Sequence, residues 1–275
     1  MNRFLSLLVL LGSLAVTPLA AAGPKLYIFD CGYLAFNDVT AFGISNDDTD
    51  VREMFVPCYL VEHEQGTLFW DAGLPLAIAG LPATTDIRGV TTEYKRSVVD
   101  QLEEIGHPPE SIDKVAFSHF HFDHAGAANA FKDSELLIQQ TEYDAAFKHA
   151  DQNPVFDPAL YNELADSVKT ILNGDYDVFG DGSVMIISAP GHTPGHQTLL
   201  IDMENTGKIM LSGDLYHFEF SRTHRRTPDF NTDKAETLRS MEKVENLLQE
   251  VGATLWIEHN MALAKTLKKS PEYYD

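Results

Sequence analysis

Short apolar runs rich in β-branched and aromatic residues recur along the chain. The first series is KLYIFDCGYL, MFVPCYLVEH, TLFWDAG, KVAFSHF and ELLIQ, and a second follows as SVMIISAPGH, QTLLIDM, KIMLSGDLYH and TLWIEHN. Runs of this length, bounded by Gly, Pro, Asp and Asn, predict strands. Helical spacing is clearest over residues 233–251, where Leu238, Met241, Val244, Leu247, Leu248 and Val251 fall on one face. Asn231 or Thr232 is placed to cap the start of that helix, and Gly252 to end it. Residues 94–105 and 160–172 are two further predicted helices. Strand-rich halves joined by helices predict an α/β (α+β) architecture: two sheets packed together, helices outside, in one domain over residues 23–275.

The first 22 residues stand apart. Arg3, an apolar run over 4–16 and the small residues Ala20, Ala21 and Ala22 have the form of a secretory signal. A bilayer-spanning helix needs about 20 apolar residues, and this run breaks at Pro18. Cleavage near Ala22 and a periplasmic or secreted mature protein, without membrane attachment, are therefore expected.

Composition narrows the function classes. Hydrophobic residues at 44% suffice for a large core, while a formal net charge of −21 repels phosphate backbones and argues against nucleic-acid binding. The two cysteines, Cys31 and Cys58, both lie in strand-like runs. They can pair in an oxidising compartment or remain as buried thiols, and they are too few for a thiolate zinc site. The oligomeric state is open, and a homodimer is compatible with the sequence.

One stretch, SHFHFDHAG over 118–126, concentrates three of the chain's eleven histidines beside an aspartate. His119 and His121 alternate around Phe120, so on extended backbone both imidazoles face one side. Asp123 and His124 follow after the strand turns. This N/O donor set suits a hard-to-borderline cation such as zinc, although cobalt, manganese or iron accept the same ligands. His192 in APGHTPGH, Asp214 in MLSGD and His259 in LWIEH also stand at predicted strand ends, where loops build sites. His196, four residues after His192, is expected to support the loop. His63, His107, His149 and His224 have no ligand spacing. The basic run RTHRR over 222–226 can attract an anionic substrate or product or pair with neighbouring acids, and pairing is the expectation.

HFHFDHAG, PGHTPGHQ, SGD and EHN, in this order, resemble the metallo-β-lactamase-fold hydrolases, and most of all the N-acyl-homoserine lactonases. The resemblance spans nearly the whole chain after the leader. It implies an αββα sandwich with two divalent metal ions, zinc by default, at one edge. His119, His121 and His192 would hold one ion, Asp123, His124 and His259 the other, and Asp214 would bridge them. Asp71 in WDAG would orient a ligand histidine. Two such cations bring the pKa of a shared water towards neutrality, so the implied chemistry is hydroxide attack on a lactone ester, with Asp123 relaying the proton. In the best-known lactonases a tyrosine three positions after the bridging aspartate assists. Here Tyr216 follows Asp214 by two and His217 by three, and both are candidates. Tyr33, Phe36, Phe42, Phe218 and Phe220 are candidates to line an acyl groove. A phosphotriesterase or arylesterase of the same fold is the alternative. Asp214 counts against a β-lactamase, the sixteen residues after His259 against a glyoxalase-type thioesterase, and the intact ligand set against a non-enzymatic binding protein.

Overall fold

The computed structural model describes residues 23–275. The expected leader, 1–22, lies outside them. All nine apolar runs form strands: β1 (Lys25–Phe36), β2 (Glu53–His63), β3 (Gly66–Trp70), β6 (Lys114–Ala116), β7 (Glu135–Gln139), β10 (Val184–Ser188), β11 (Gln197–Met203), β12 (Gly207–Leu211) and β13 (Thr254–Trp256). Five short strands add to them: β4 (Thr84–Thr85), β5 (Val90–Glu93), β8 (Lys169–Leu172), β9 (Tyr176–Asp177) and β14 (Tyr273–Tyr274).

These make two mixed sheets. The larger has the order β4-β5-β1-β2-β3-β6-β7-β8, with β14 also paired to β1, and the smaller β13-β12-β11-β10-β9. Alternation along each strand divides the apolar residues between two faces. In β11 and β12, Leu199, Ile201, Ile209 and Leu211 meet Leu26, Ile28, Tyr59, Val61 and Trp70 of the larger sheet, forming the core between the sheets. Leu200 and Met210 face the other way, onto Met241, Val244 and Leu248 of α4 (Lys234–Val251). The outer face of the larger sheet buries Phe29, Val56, Leu60 and Phe69 with Val98 and Leu102 of α1 (Val98–Glu104). The layers are therefore helix, sheet, sheet, helix.

Three helix expectations change. Residues 160–172 form two short 3-10 turns, Pro158–Leu160 and Asn162–Ala165, followed by strand β8. Leu160, Leu164 and Val168 mimic helical spacing, but Thr170 and Ile171 are β-branched and pair in parallel with Leu137 and Ile138 of β7. The helix expected from 94 begins at Val98, because the Ser97 side chain caps it by accepting from Asp100 N–H at 3.1 Å. The long helix is capped by Asp233, whose carboxylate accepts from Glu236 N–H at 2.9 Å, rather than by Asn231 or Thr232. Gly252 ends it in the left-handed conformation, as expected.

Cys31 and Cys58 are bonded as a disulfide, both fully buried. Arg222 pairs with Glu245 at 2.8 Å, as expected for the basic run. Among the described residues, no helix is long and apolar enough to cross a membrane.

Candidate metal centre

Five strand ends converge on one edge of the sandwich. β3 leads to Asp71, β6 to His119, His121, Asp123 and His124, β10 to His192, β12 to Asp214 and β13 to His259. All are buried. Their ligand atoms come within 4.8 Å of one another in two donor groups, His119, His121, His192 and Asp214, then Asp123, His124 and His259, while Asp71 forms a third such cluster with His124 and Glu258, behind the second.

Asp214 faces both groups. Its Oδ2 lies 3.1 Å from His192 Nε2 and 3.6 Å from His119 Nε2. Its Oδ1 lies 2.9 Å from His259 Nε2 and 3.3 Å from His124 Nε2. Oδ1 nevertheless has no hydrogen bond of acceptable geometry, which leaves a buried carboxylate oxygen unpartnered.

Outer partners set the direction of three of the rings. His124 Nδ1 donates to Asp71 Oδ2 at 2.8 Å, His259 Nδ1 to the Phe55 carbonyl at 2.8 Å, and His192 Nδ1 to Asn231 Oδ1 at 2.9 Å. With the outer nitrogen protonated, the inner Nε2 of each of these rings presents a lone pair whenever the ring is neutral. The inner nitrogens crowd together: His192 Nε2 is 3.1 Å from both His119 Nε2 and His121 Nδ1, and His124 Nε2 is 3.2 Å from His259 Nε2. Facing lone pairs at such distances are satisfied only by a shared proton or a cation. The donor set and the orphaned Asp214 oxygen therefore fit divalent metals.

The electrostatics separate the two donor groups: His119 and His121 are held neutral, whereas against the cost of burial Asp214 raises both His124 and His259 above the ordinary range. Burial, helped by neighbouring imidazoles, pushes His119 and His121 well below the ordinary histidine range, keeping them neutral and able to ligate. Burial opposes charge on Asp214, but His217, His124, His259 and His192 outweigh it and hold the carboxyl well below its usual range. Burial likewise opposes charge on His259, yet the Asp214 carboxylate raises it to about 9.

Several supporting residues gave little signal in the sequence. His196 is one that did, and it supports more than its loop: Nδ1 donates to the Ala189 carbonyl at 3.0 Å, so Nε2 is free to accept the Asp214 N–H at 2.9 Å. Asp71 adopts a left-handed φ of 55°, uncommon outside glycine, and its Oδ1 accepts the Ser118 N–H at 2.6 Å. Ser118 Oγ donates to Asp71 Oδ2 at 2.9 Å. Glu258 Oε1 accepts the Gly213 N–H at 2.8 Å, tying together the turns that carry Asp214 and His259. Asn231 has the local signal of a helix cap, but its side chain serves a histidine 39 positions away, which sequence proximity does not show.

The two candidates after Asp214 separate. Tyr216 is not brought to the metal groups. Its ring packs with Met241 and Val244 beneath α4, and its hydroxyl donates to Glu245 at 3.0 Å. Successive residues on extended backbone point to opposite faces, so its neighbour His217 enters the site instead. His217 Nε2 lies 3.0 Å from Asp214 Oδ2, with its ring 5.0 Å from Phe42 and 5.9 Å from both Phe230 and His259. Of the expected apolar lining, Phe36, Phe42 and Phe218 cluster here, whereas Phe220 stacks on His224 and Tyr33 pairs across β1 and β2 with Phe55. Phe230 joins them and was not anticipated.

The model of the metallo-beta-lactamase superfamily matches residues 51–251. An N-acyl homoserine lactonase AttM of Rhizobium johnstonii is 30% identical over 239 residues, covering 81% of this chain and 88% of the relative. An N-acyl homoserine lactonase from a Bacillus species is 30% identical over 258 residues, covering 90% and 98%. A solved N-acyl homoserine lactone hydrolase, with the product N-hexanoyl-L-homoserine at its catalytic metal centre, superposes with a TM-score of 0.76 at 26% identity, covering 92% of this chain and 99% of that one. With its fold, motifs and buried donor groups all in agreement, the chain belongs to the metallo-β-lactamase superfamily, is one of its metal-dependent hydrolases, and resembles the N-acyl homoserine lactonases within it.

Proposed function

We propose that this protein opens the lactone ring of N-acyl-homoserine lactones, using two divalent cations, and that it does so outside the cytoplasm. The observation that carries the reading is Asp214, whose two oxygens face separate donor groups, 3.1 Å from His192 and 2.9 Å from His259. His119, His121 and His192 would hold one ion and Asp123, His124 and His259 the other, with zinc the simplest occupant. When bound, such a pair supplies an activated water and polarises the ester carbonyl.

The chain's own residues do the rest. Asp71, Asn231 and the Phe55 carbonyl keep the ligand rings aimed inward. Asp123, whose Oδ2 is 3.8 Å from His259 Nε2, would take up the proton released on attack and pass it to the leaving oxygen. His217 replaces Tyr216 as the donor to the ring ester. Phe42, Phe218 and the partly exposed Phe230 form an apolar wall beside it that suits an acyl tail. Two features support export: the leader-like segment 1–22 and the Cys31–Cys58 disulfide, a bond that persists in oxidising compartments.

A substrate panel on the zinc-loaded protein tests the reading: acyl-homoserine lactones of several lengths, a thioester, a β-lactam and a phosphotriester. Preferred turnover of the lactones is expected, and a phosphotriester as the sole good substrate would refute it. N-terminal sequencing of protein recovered from the periplasm or medium checks for cleavage near Ala22.

A further inference from the structure

Glu142 lies in α2 (Gln140–Tyr143), the short helix that follows β7, and only 2% of it is exposed. Its Oε1 accepts the Phe120 N–H at 3.1 Å, the amide between His119 and His121. Its Oε2 accepts the Gly195 N–H at 2.8 Å, in the loop that carries His192. One carboxylate thus joins the two loops that supply all three imidazoles of the first donor group. The roots of these loops are linked separately, by Gln197 N–H to the Ser118 carbonyl at 2.9 Å and Gln197 Nε2 to the Phe117 carbonyl at 2.9 Å. Glu142 holds them farther out, beside the ligands.

Two further observations set this contact apart from ordinary packing. A Cβ at position 195 would lie 2.5 Å from both the Cβ and the backbone nitrogen of Glu142, so the approach requires glycine there. Glu142 is also a buried acid whose carboxylate accepts two backbone amides, with no lysine or arginine within ion-pair distance among the described residues. Burying a carboxyl is costly, and an apolar side chain would serve the core better.

We propose that Glu142 is a positioning residue for the first metal: its carboxylate sets the distance between the His119–His121 loop and the His192 loop so that three imidazole nitrogens meet at one point. The inference rests on the metal reading of the site given above.

Zinc titration of the metal-stripped full chain, in competition with a chromophoric chelator, tests it. Wild type should bind in two steps, assigned by His121→Ala, which removes one, and His259→Ala, which removes the other. Glu142→Ala should weaken only the step lost in His121→Ala, by about 10- to 100-fold, the range typical of residues that orient ligands. Adding Glu142→Ala to His121→Ala should then cost the remaining step nothing. Should the alanine variant fail to fold, Glu142→Gln keeps the shape and one acceptor but turns an amino group towards the second amide, and the same step should still weaken. In metal-free protein the Phe120 and Gly195 amides should exchange faster with solvent in either variant. Equal weakening of both steps, or no change in either, overturns the proposal. A wild type that takes up no zinc overturns the metal reading instead.

Discussion

The Nε2 atoms of His124 and His259 lie 3.2 Å apart, while the Nδ1 of each ring is committed to an outside acceptor. No further hydrogen-bonding group is needed to explain the pair if a cation occupies the space between them and Asp214. The predicted content is about two zinc ions per chain, by analogy with two-metal sites. His259, raised to about 9 by Asp214, holds a proton at pH 7 when no cation is present. Zinc must displace that proton, so binding at pH 7 should release it and affinity should climb as pH rises towards 9. Elemental analysis gives the stoichiometry, and calorimetry in buffers of different ionisation enthalpy gives the proton count. One ion per chain at full activity would rule out the paired site.

Asp214→Ala removes the carboxylate that both donor groups face. Metal retention and nearly all turnover should disappear, while far-ultraviolet circular dichroism stays close to wild type. A variant that keeps its metals and its rate would show that Asp214 does not bridge them.

His217→Ala is expected to lower kcat/KM about ten- to a hundredfold, less than the ~2.7–4 kcal/mol of a well-aimed donor acting alone, because the metals carry part of the stabilisation. Tyr216→Phe should leave kcat/KM within about twofold and lower stability by about 1 kcal/mol, through loss of its hydrogen bond to Glu245. The reverse pattern in steady-state kinetics would place the tyrosine back at the substrate.

Burial lowers His196 to about 3, so the folded protein refuses a proton that the unfolded chain accepts near pH 6.5. Its contribution to stability is complete above pH 6.5 and is lost as pH falls towards 3. His196→Asn retains an acceptor for the Asp214 amide but has no proton to gain. Denaturant unfolding of chelator-treated protein should therefore lose stability less steeply over this window in the variant. Parallel pH profiles would mean that His196 is not buried neutral.

The sequence determined the strands and the ligand types, because both signals are local. β11 and β12 are legible from alternation alone: Leu199, Ile201, Ile209 and Leu211 turn to one core and Leu200 and Met210 to the other. His119 and His121 likewise share a face by virtue of their spacing. What pairing through space decides was not legible. Residues 160–172 keep a helical spacing, but they begin in 3-10 turns and their last four, 169–172, are drawn into β8 by pairing with β7. Asn231 has the chemistry of a cap, yet its oxygen goes to His192 and Asp233 caps the helix instead. Tyr216 and His217 are adjacent in sequence, and only the direction of the backbone after Asp214 decides which enters the site. Glu142 carries no motif at all. Its carboxylate acquires a role only when the fold places the amides of Phe120 and Gly195 on either side of it.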